Sequence, residues 1–481
     1  MNNKDLIHQK LKTYFGYTSF REGQEEAVLA ALERKHTLVM LPTGTGKSIC
    51  YQLTGYCLEG LVVIVSPLLS LMQDQVEQLK LNGEKRVAAI NSLMDVREKE
   101  WVLTHLSEYK FIFLSPEMLQ QEYVMTCLKK VSICLFTIDE AHCISQWGLD
   151  FRPDYLDLGL IRQQLNFPLT MALTATATQR VREEILTSLQ IDNEETKQII
   201  YSVDRSNIAF YTQSCEHDKN RHLMSQIQKL KKPGIIYFSS KKTADEIAEK
   251  IRNETSIVAE SYHSDVATED KIKIQQQFVH DEIDIICATS AFGMGINKSN
   301  IRFVIHYHLP GSPEAYLQEV GRCGRDGEPS IAILLYEQGD GIIQLRLQDY
   351  TLPTIEMLEY SYKKGEVLEG SCSPTQKQLI ENYLKSNLSI DVAKNQVKSR
   401  AVSKQQQLYY MIDYAETLSC KRAFLLHYFD EKIIDKPVNC CSSCTIKITD
   451  YYETSDVKQK TISKKEKSWE ETLNELFLIG K

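Results

Sequence analysis

The chain has 481 residues, 43% hydrophobic and 25% charged, with a formal net charge of −8. That length suits about three domains with two or more buried cores. The acidic balance excludes a uniformly basic nucleic-acid coat, although a local cleft, backbone amides and Ser/Thr hydroxyls hold phosphates without adding formal charge.

No apolar run reaches the roughly 20 residues that span a bilayer. The opening "MNNKDLIHQKLKTYFGY" reads as an amphipathic helix rather than a signal peptide, so no membrane partner is expected and the expected compartment is the cytosol. Next, "FGYTSFREGQ" (15–24) supplies Gln24, whose amide offers a donor and an acceptor to a base edge. Tyr17 and Arg21 are placed to stack on that base; the plainer alternative is an ordinary helix start.

From about 36 to 177, short β-branched runs alternate with helical stretches. "HTLVMLP", "GLVVIVSP", "KFIFLSP", "SICLFTIDE" and "LTMALTATA" read as buried parallel strands. "LPTGTGKS" (41–48) follows the first of them, with Leu41 where the usual phosphate-loop pattern has glycine. The amides of Thr43, Gly44, Thr45 and Gly46 are suited to wrap phosphates, Lys47 to reach the terminal phosphates, and Ser48 to ligate Mg²⁺. After a later strand, Asp139 is suited to hold that metal and Glu140 to orient and deprotonate an attacking water. A solvated acidic turn is the plainer reading of that pair.

A second series follows "IYSVDRSNI" (200–208): "PGIIYFSS", "TSIVAESYH", "IDIICATS", "IRFVIHYHLP" and "SIAILLYE". The expected class is therefore α/β: two sheets, each covered by helices on both faces, with sites at the carboxyl ends of the strands. Ser239, Ser240, Lys241 and Lys242 follow one strand, as a phosphate contact or a solvated helix start. Gly293 and Gly295 in "AFGMGIN" permit close backbone approach to ribose or phosphate, or a tight turn. "QEVGRCGRDG" (318–327) carries Gln318, Arg322 and Arg325. The arginines lie three apart, neighbours on a helical turn, and read either as arginine fingers for a nucleotide shared by both units or as surface ion-pair partners.

Beyond about 350 the strands stop and helical patterns take over. The expected division is 1–203, 204–347, a helical insertion or connection at 348–400, a helical metal module at 401–446, and a Lys-rich tail with a short amphipathic helix at 447–481. Of thirteen cysteines, most sit singly in apolar runs, whereas Cys420, Cys440, Cys441 and Cys444 cluster. Cys441 and Cys444 have the C-x-x-C spacing that lets two thiolates share Zn²⁺. His427 lies seven helical residues from Cys420, about 10 Å along the axis, and is a poor ligand.

The ordered strings "FREGQ", "PTGTGKS", "SPLLSLMQDQ", "DEAHCISQWGLDFRPDY", "ALTATAT", "ATSAFGMGINK" and "QEVGRCGRDG" resemble a RecQ-type DNA helicase of helicase superfamily two. The resemblance runs from about residue 6 to 345 and resumes at the cysteines. It implies two tandem RecA-like parallel-sheet lobes followed by a small helical zinc-binding module. It also implies ATP and Mg²⁺ dependence, 3′ to 5′ movement on single-stranded DNA, and work in repair or recombination on forked or partly duplex DNA. By the same likeness, Trp147, Phe151 and Arg152 form a DNA-sensing loop contiguous with Glu140. Aromatics there can stack on bases at about 1–3 kcal/mol per base, though such side chains are more often core. His142 is implied as a coupling residue bonding across the lobes, Ser66 as a DNA-backbone contact, Thr174 and Thr176 as a link between lobes, and Ser239 as a phosphate contact.

RecQ-like zinc modules usually space their last three cysteines apart; Val438 stands at one expected position, so Cys440 is assigned as the fourth ligand of a structural zinc. The implied molecule is a monomer, nucleoid-associated if bacterial, with a single-stranded-DNA-binding protein or repair proteins as candidate partners. Many relatives carry a winged helix after the zinc module, and the segment 446–481 is too short for one. The alternative reading is thus a DNA-stimulated ATPase that translocates or strips proteins with little strand separation. An RNA helicase and a catalytically silent DNA-binding scaffold are weaker rivals, the scaffold opposed by Lys47, Asp139, Glu140, Arg322 and Arg325.

Overall fold

The β-branched runs form strands and sort into two sheets. The computed structural model describes residues 2–91, 94–145, 153–216, 218–293, 298–367, 370, 372–385 and 388–453. The first sheet contains β1 (His36–Met40), β2 (Leu61–Val65), β3 (Val87–Ile90), β4 (Phe111–Leu114), β5 (Ile133–Ile138), β6 (Thr170–Thr174) and β7 (Thr196–Ile200). Their order is β3-β4-β2-β5-β6-β1-β7, and every pair is parallel. The second contains β8 (Ile208–Ser214), β9 (Gly234–Tyr237), β10 (Ala259–Tyr262), β11 (Ile285–Ala288), β12 (Phe303–His306) and β13 (Ser330–Tyr336). Its order is β10-β11-β9-β12-β13-β8, again all parallel.

Helices cover both faces of each sheet, so central strands are continuous apolar runs. All five residues of β2 and all seven of β13 are buried. The strands that the sequence pattern passes over, β3, β7 and β8, all lie at sheet edges. An edge strand needs less apolar surface: three of the five residues of β7 are exposed.

The strand-free region is two helical structures joined by one long helix. Leu352, Leu358, Leu379, Ile380, Tyr383, Ala393 and Val397 close a small core of their own. The helix Ile390–Glu416 then runs unbroken through residue 400, from that core to the cysteine module. Lys421 caps its end by donating to the carbonyls of Tyr414 (2.7 Å), Ala415 (2.9 Å) and Thr417 (2.7 Å). A cation there complements the helix dipole. The helix Pro374–Lys385 also packs against the turn Pro153–Tyr155 of the first sheet's unit, just past the aromatic segment 146–152.

The cysteine module is sewn onto the edge of the second sheet. Phe210 N–H donates to the Cys440 carbonyl (3.2 Å), Ser442 N–H to the Phe210 carbonyl (2.8 Å), and Thr212 N–H to Ser442 Oγ (3.1 Å). Residues 447–453, expected as the start of a tail, instead pack on this unit. Lys231 N–H donates to the Tyr451 carbonyl (3.0 Å), Glu453 N–H donates to the Lys229 carbonyl (2.8 Å), and Tyr451 is buried. Aromatic burial and backbone pairing hold what composition alone presents as polar chain. The rest of the expected tail, 454–481, lies outside the described residues.

Candidate functional site

A cleft of about 640 Å³ opens between the two sheets' carboxyl ends and is lined from both units. On one wall stands the loop after β1. Gly44 (φ 88°) and Gly46 (φ 80°) take left-handed backbone that favours glycine. They turn the chain into the helix Lys47–Cys57, whose free N–H groups and positive dipole end suit an anion. Gln24 is 1% exposed and spans this loop: its amide donates to the carbonyls of Thr45 (2.8 Å) and Gly46 (3.1 Å) and accepts from Arg21 N–H (2.9 Å). Arg21 Nη1 donates to the Gly44 carbonyl at 2.6 Å. Gln24 and Arg21 thus fasten the phosphate loop, while Tyr17 lies exposed at the cleft's rim. Thr43 and Ser48 line the cleft, and Thr45 Oγ1 donates back to the Pro42 carbonyl (2.7 Å). The Lys47 ammonium makes one long bond, 3.4 Å to the Leu41 carbonyl.

Asp139 and Glu140 follow β5, two strands from β1, and enter the same cleft. Burial first, then neighbouring Glu140, push the Asp139 carboxyl up to about 7 against the pull of Lys47. A buried carboxyl whose charged form is penalised this way gains most from a cation, and with Ser48 lining the same space the pair fits a magnesium ion. Glu140 sits in left-handed backbone (φ 49°), a strained conformation for a residue with a Cβ. Its Oε2 is buried and lies 3.4 Å from His142 Nδ1. His142 Nδ1 also lies 3.0 Å from Thr174 Oγ1, whose hydroxyl donates to the Thr176 carbonyl at 3.1 Å. The Nδ1 contact is made within the first lobe, because β5 and β6 are neighbours, while the buried Nε2 has no partner among the described residues. Glu140, His142, Thr174 and Thr176 form one connected path.

The other wall is the turn after the helix Pro313–Val320. Gln318, Arg322 and Arg325 all line the cleft. Arg322 is 5% exposed and its Nη1 donates to the Gly293 carbonyl. The stem of Arg325 lies against the phosphate loop, so close that a Cβ on Gly44 would stand 2.7 Å from Arg325 Cγ. Likewise a Cβ on Gly321 would meet Thr43 Cβ at 2.9 Å. The two units are thus closed on each other at this point. Burial, then Arg322 and Arg205, pull the Arg325 guanidinium down to about 10. Guanidiniums crowded into a desolvated wall opposite a lysine loop suit a polyanion.

Other expected contacts fall elsewhere. Ser66 is 1% exposed at the end of β2, with its hydroxyl buried and closed off from any DNA backbone. Ser239 is half-buried; it accepts from Gln344 Nε2 (2.8 Å) and its N–H donates to His308 Nδ1 (3.1 Å), both within the second unit. Trp147, Phe151, Arg152 and Gly295 lie outside the described residues. Sequence reasoning missed Arg205, Asn207 and Arg422, which bear on the arginine turn. Polar "DRSN" and "KR" strings set between apolar runs were the available signal.

At the far side, the sulfurs of Cys420, Cys440, Cys441 and Cys444 lie within 4.8 Å of one another. Cys420 Sγ is 3.6 Å from Cys440 Sγ and 3.8 Å from Cys441 Sγ. Tetrahedral zinc with bonds of 2.3 Å separates its sulfurs by about 3.8 Å, so the four fit that ion. Burial opposes ionisation of Cys441, yet the Cys444 thiol and the N–H groups around it outweigh burial and hold this thiol below its usual range. The adjacency of Cys440 and Cys441 is accommodated because the pair turns along the edge of β8.

Three stretches of the chain match known families: residues 21–185 the DEAD/DEAH box helicases, 218–327 the helicase conserved C-terminal domain, and 374–446 the RecQ zinc-binding family. The chain is 41% identical over 491 aligned residues to the probable ATP-dependent DNA helicase RecS of Bacillus subtilis, covering 98% of each. It is 36% identical to the ATP-dependent DNA helicase RecQ of Haemophilus influenzae, over 90% of this chain and 62% of that protein. In fold it is similar to the helicase Lhr of Mycobacterium smegmatis bound to single-stranded DNA and AMP-PNP. That likeness has a TM-score of 0.56 at 17% identity and covers 86% of this chain and 57% of that one. Among the described residues no helix is long and apolar enough to cross a membrane.

Proposed function

This chain belongs to the RecQ family of ATP-dependent DNA helicases, and on that premise we propose that it moves 3′ to 5′ on single-stranded DNA in repair or recombination. The direction and the repair role follow the family resemblance; the observation that carries ATP-driven movement is the cleft itself, where Lys47, Asp139 and Glu140 on one wall face Gln318, Arg322 and Arg325 on the other. ATP seats its phosphates on the amides of Thr43–Ser48 and on Lys47. Gln24, already bonded to the loop, reports base occupancy directly to the phosphate site. Ser48 and Asp139 would hold magnesium, which supplies charge neutralisation for the phosphates. Glu140 takes a proton from the attacking water, and the buried His142 beside it passes the change in charge toward Thr174 and Thr176. Arg322 and Arg325 stabilise the charge that develops on the transferred phosphoryl group, an effect worth roughly 10³-fold or more in rate. Hydrolysis then releases the closed cleft, and reopening advances the strand. Cys420, Cys440, Cys441 and Cys444 would hold a zinc ion, which supplies a structural crosslink.

The test is ATP turnover with single-stranded, duplex and forked DNA, with strand separation read in parallel. Turnover stimulated by DNA and accompanied by displacement supports the helicase. Strong turnover without displacement supports a translocase that remodels DNA or strips proteins. Stimulation by RNA equal to that by DNA, or no DNA dependence, overturns the proposal.

A further inference from the structure

The turn that carries both arginines is held by the linker between the lobes. Arg205 Nη1 donates to the carbonyls of Gly321 (3.0 Å) and Cys323 (2.9 Å), and its Nη2 donates to that of Gly324. Asn207 Nδ2 donates to the carbonyls of Gly324 (2.8 Å) and Glu328 (2.9 Å). Five hydrogen bonds from two linker side chains thus fix the backbone on which Arg322 and Arg325 are mounted. The linker is gripped in turn from behind. Arg422, two residues past Cys420, is 0% exposed. Its Nη1 bonds Asp204 Oδ1 and the Arg205 carbonyl, its Nη2 bonds the Ile208 carbonyl, and its guanidinium lies 4.9 Å from the Phe210 ring centre. Glu431 accepts from Ser202 Oγ and from Val203 N–H.

A clamp of purely structural purpose has no need of a third guanidinium beside two others. Like charges at short range in a desolvated site repel, and a neutral amide such as that of Asn207 can hold carbonyls without that cost. Arg205 also lies in the segment between β7 and β8 that joins the lobes. We infer that Arg205 is a positioning residue for the arginine fingers and that Arg422 holds it in register, so that the interlobe linker and the cysteine module set the aim of Arg322 and Arg325. The inference rests on the finger role proposed above.

The experiment uses the full-length, zinc-loaded protein and the variants Arg205→Ala, Arg205→Lys, Arg422→Gln and Arg325→Ala. Three quantities are read: DNA-stimulated kcat, affinity for a fluorescent non-hydrolysable ATP analogue, and melting temperature. Arg205→Ala is expected to lower kcat about 10–100-fold while analogue affinity changes less than about threefold, the signature of an interaction realised in the transition state. Millimolar guanidinium should restore several-fold of that loss, and Arg422→Gln should move kcat in the same direction. The double variant Arg205→Ala/Arg325→Ala should lose less than the product of the two single losses, because Arg205 acts in part through Arg325 and coupled residues are not additive. If Arg205→Ala does not fold, Arg205→Lys decides by the same split. A kcat within twofold of wild type, or kcat and affinity falling together without guanidinium rescue, overturns the inference. If Arg325→Ala itself leaves kcat intact, the finger reading fails and takes this one with it. If Arg325→Ala loses turnover while Arg205→Ala does not, only this one falls.

Discussion

The two walls of the cleft are built differently. The first wall is shaped by polar contacts within the first lobe: Gln24 and Arg21 fasten the phosphate loop, and Glu140, His142 and Thr174 bond along adjacent strands. The second wall is held from outside its own motif. Its arginine turn depends on Arg205 and Asn207 in the linker, and these on Arg422 in the cysteine module, across more than a hundred residues of chain. The comparison teaches that the wall for binding phosphates stands alone. The wall proposed to complete the transition state is conditional on the whole molecule being assembled.

The sharpest way to break the comparison is to remove the centre of the first wall. Lys47→Ala should lower ATP turnover by roughly 10³-fold or more with an unchanged melting temperature, since Lys47 makes only a 3.4 Å bond to the Leu41 carbonyl. Steady-state hydrolysis and a thermal melt read both; near-normal turnover refutes the role. Next in size is the support of the second wall. Cys444→Ser should drop zinc from about one ion per chain to well below it, lower solubility, and slow turnover through the linker rather than through nucleotide affinity. Metal analysis beside analogue binding separates these, and unaltered zinc content refutes the ligand set.

A smaller effect tests whether the first wall is wired to DNA. Trp147 and Phe151 follow Glu140 by seven and eleven residues, so replacing both with alanine should cut DNA stimulation of turnover by roughly tenfold, given ~1–3 kcal/mol for each stacked base. The DNA-independent rate and analogue binding should stay near wild type. Unchanged stimulation counts against the loop.

The same contrast explains what the sequence discloses. The first wall is written in short strings, and a glycine-rich loop or an acidic pair after an apolar run carries its chemistry within a few residues. Both sheets are legible for a related reason, since strands buried on two faces become unbroken apolar runs such as "LVVIV" and "SIAILLY". The edge strands β7 and β8 escaped because one side of each meets solvent or another element. Arg205 and Asn207 escaped because their partners are backbone carbonyls, which leave no trace in side-chain pattern, and Arg422 because its one carboxylate partner, Asp204, lies more than two hundred residues away in the chain. The Nδ1 contact of His142 with Thr174 was not legible for a like reason: strand order, which periodicity does not encode, places β6 beside β5. Residues 447–453 looked like free chain because two tyrosines among polar residues do not announce that one is buried.

The smallest expected effect asks whether the first wall, alone and without nucleotide, is poised for a cation. Asp139 is pushed up to about 7, by burial first and then by Glu140, whereas an unfolded aspartate titrates near 3.9. Between those values the folded chain holds a proton that the unfolded chain has released, so stability falls as pH rises through this window. The contribution is fully present below about pH 4 and is lost by about pH 8, a change on the order of 1–4 kcal/mol. In metal-free buffer the melting temperature of the wild type should therefore fall relative to Asp139→Asn, whose side chain cannot ionise, as pH goes from 5 to 8. Saturating Mg²⁺ with an ATP analogue should remove that divergence, because a cation at Asp139 favours the ionised form that burial penalises. Parallel melting curves in the absence of Mg²⁺ would mean that Asp139 is ionised throughout, and that the first wall's acidity is set by Lys47 rather than by the dry environment around the carboxylate pair.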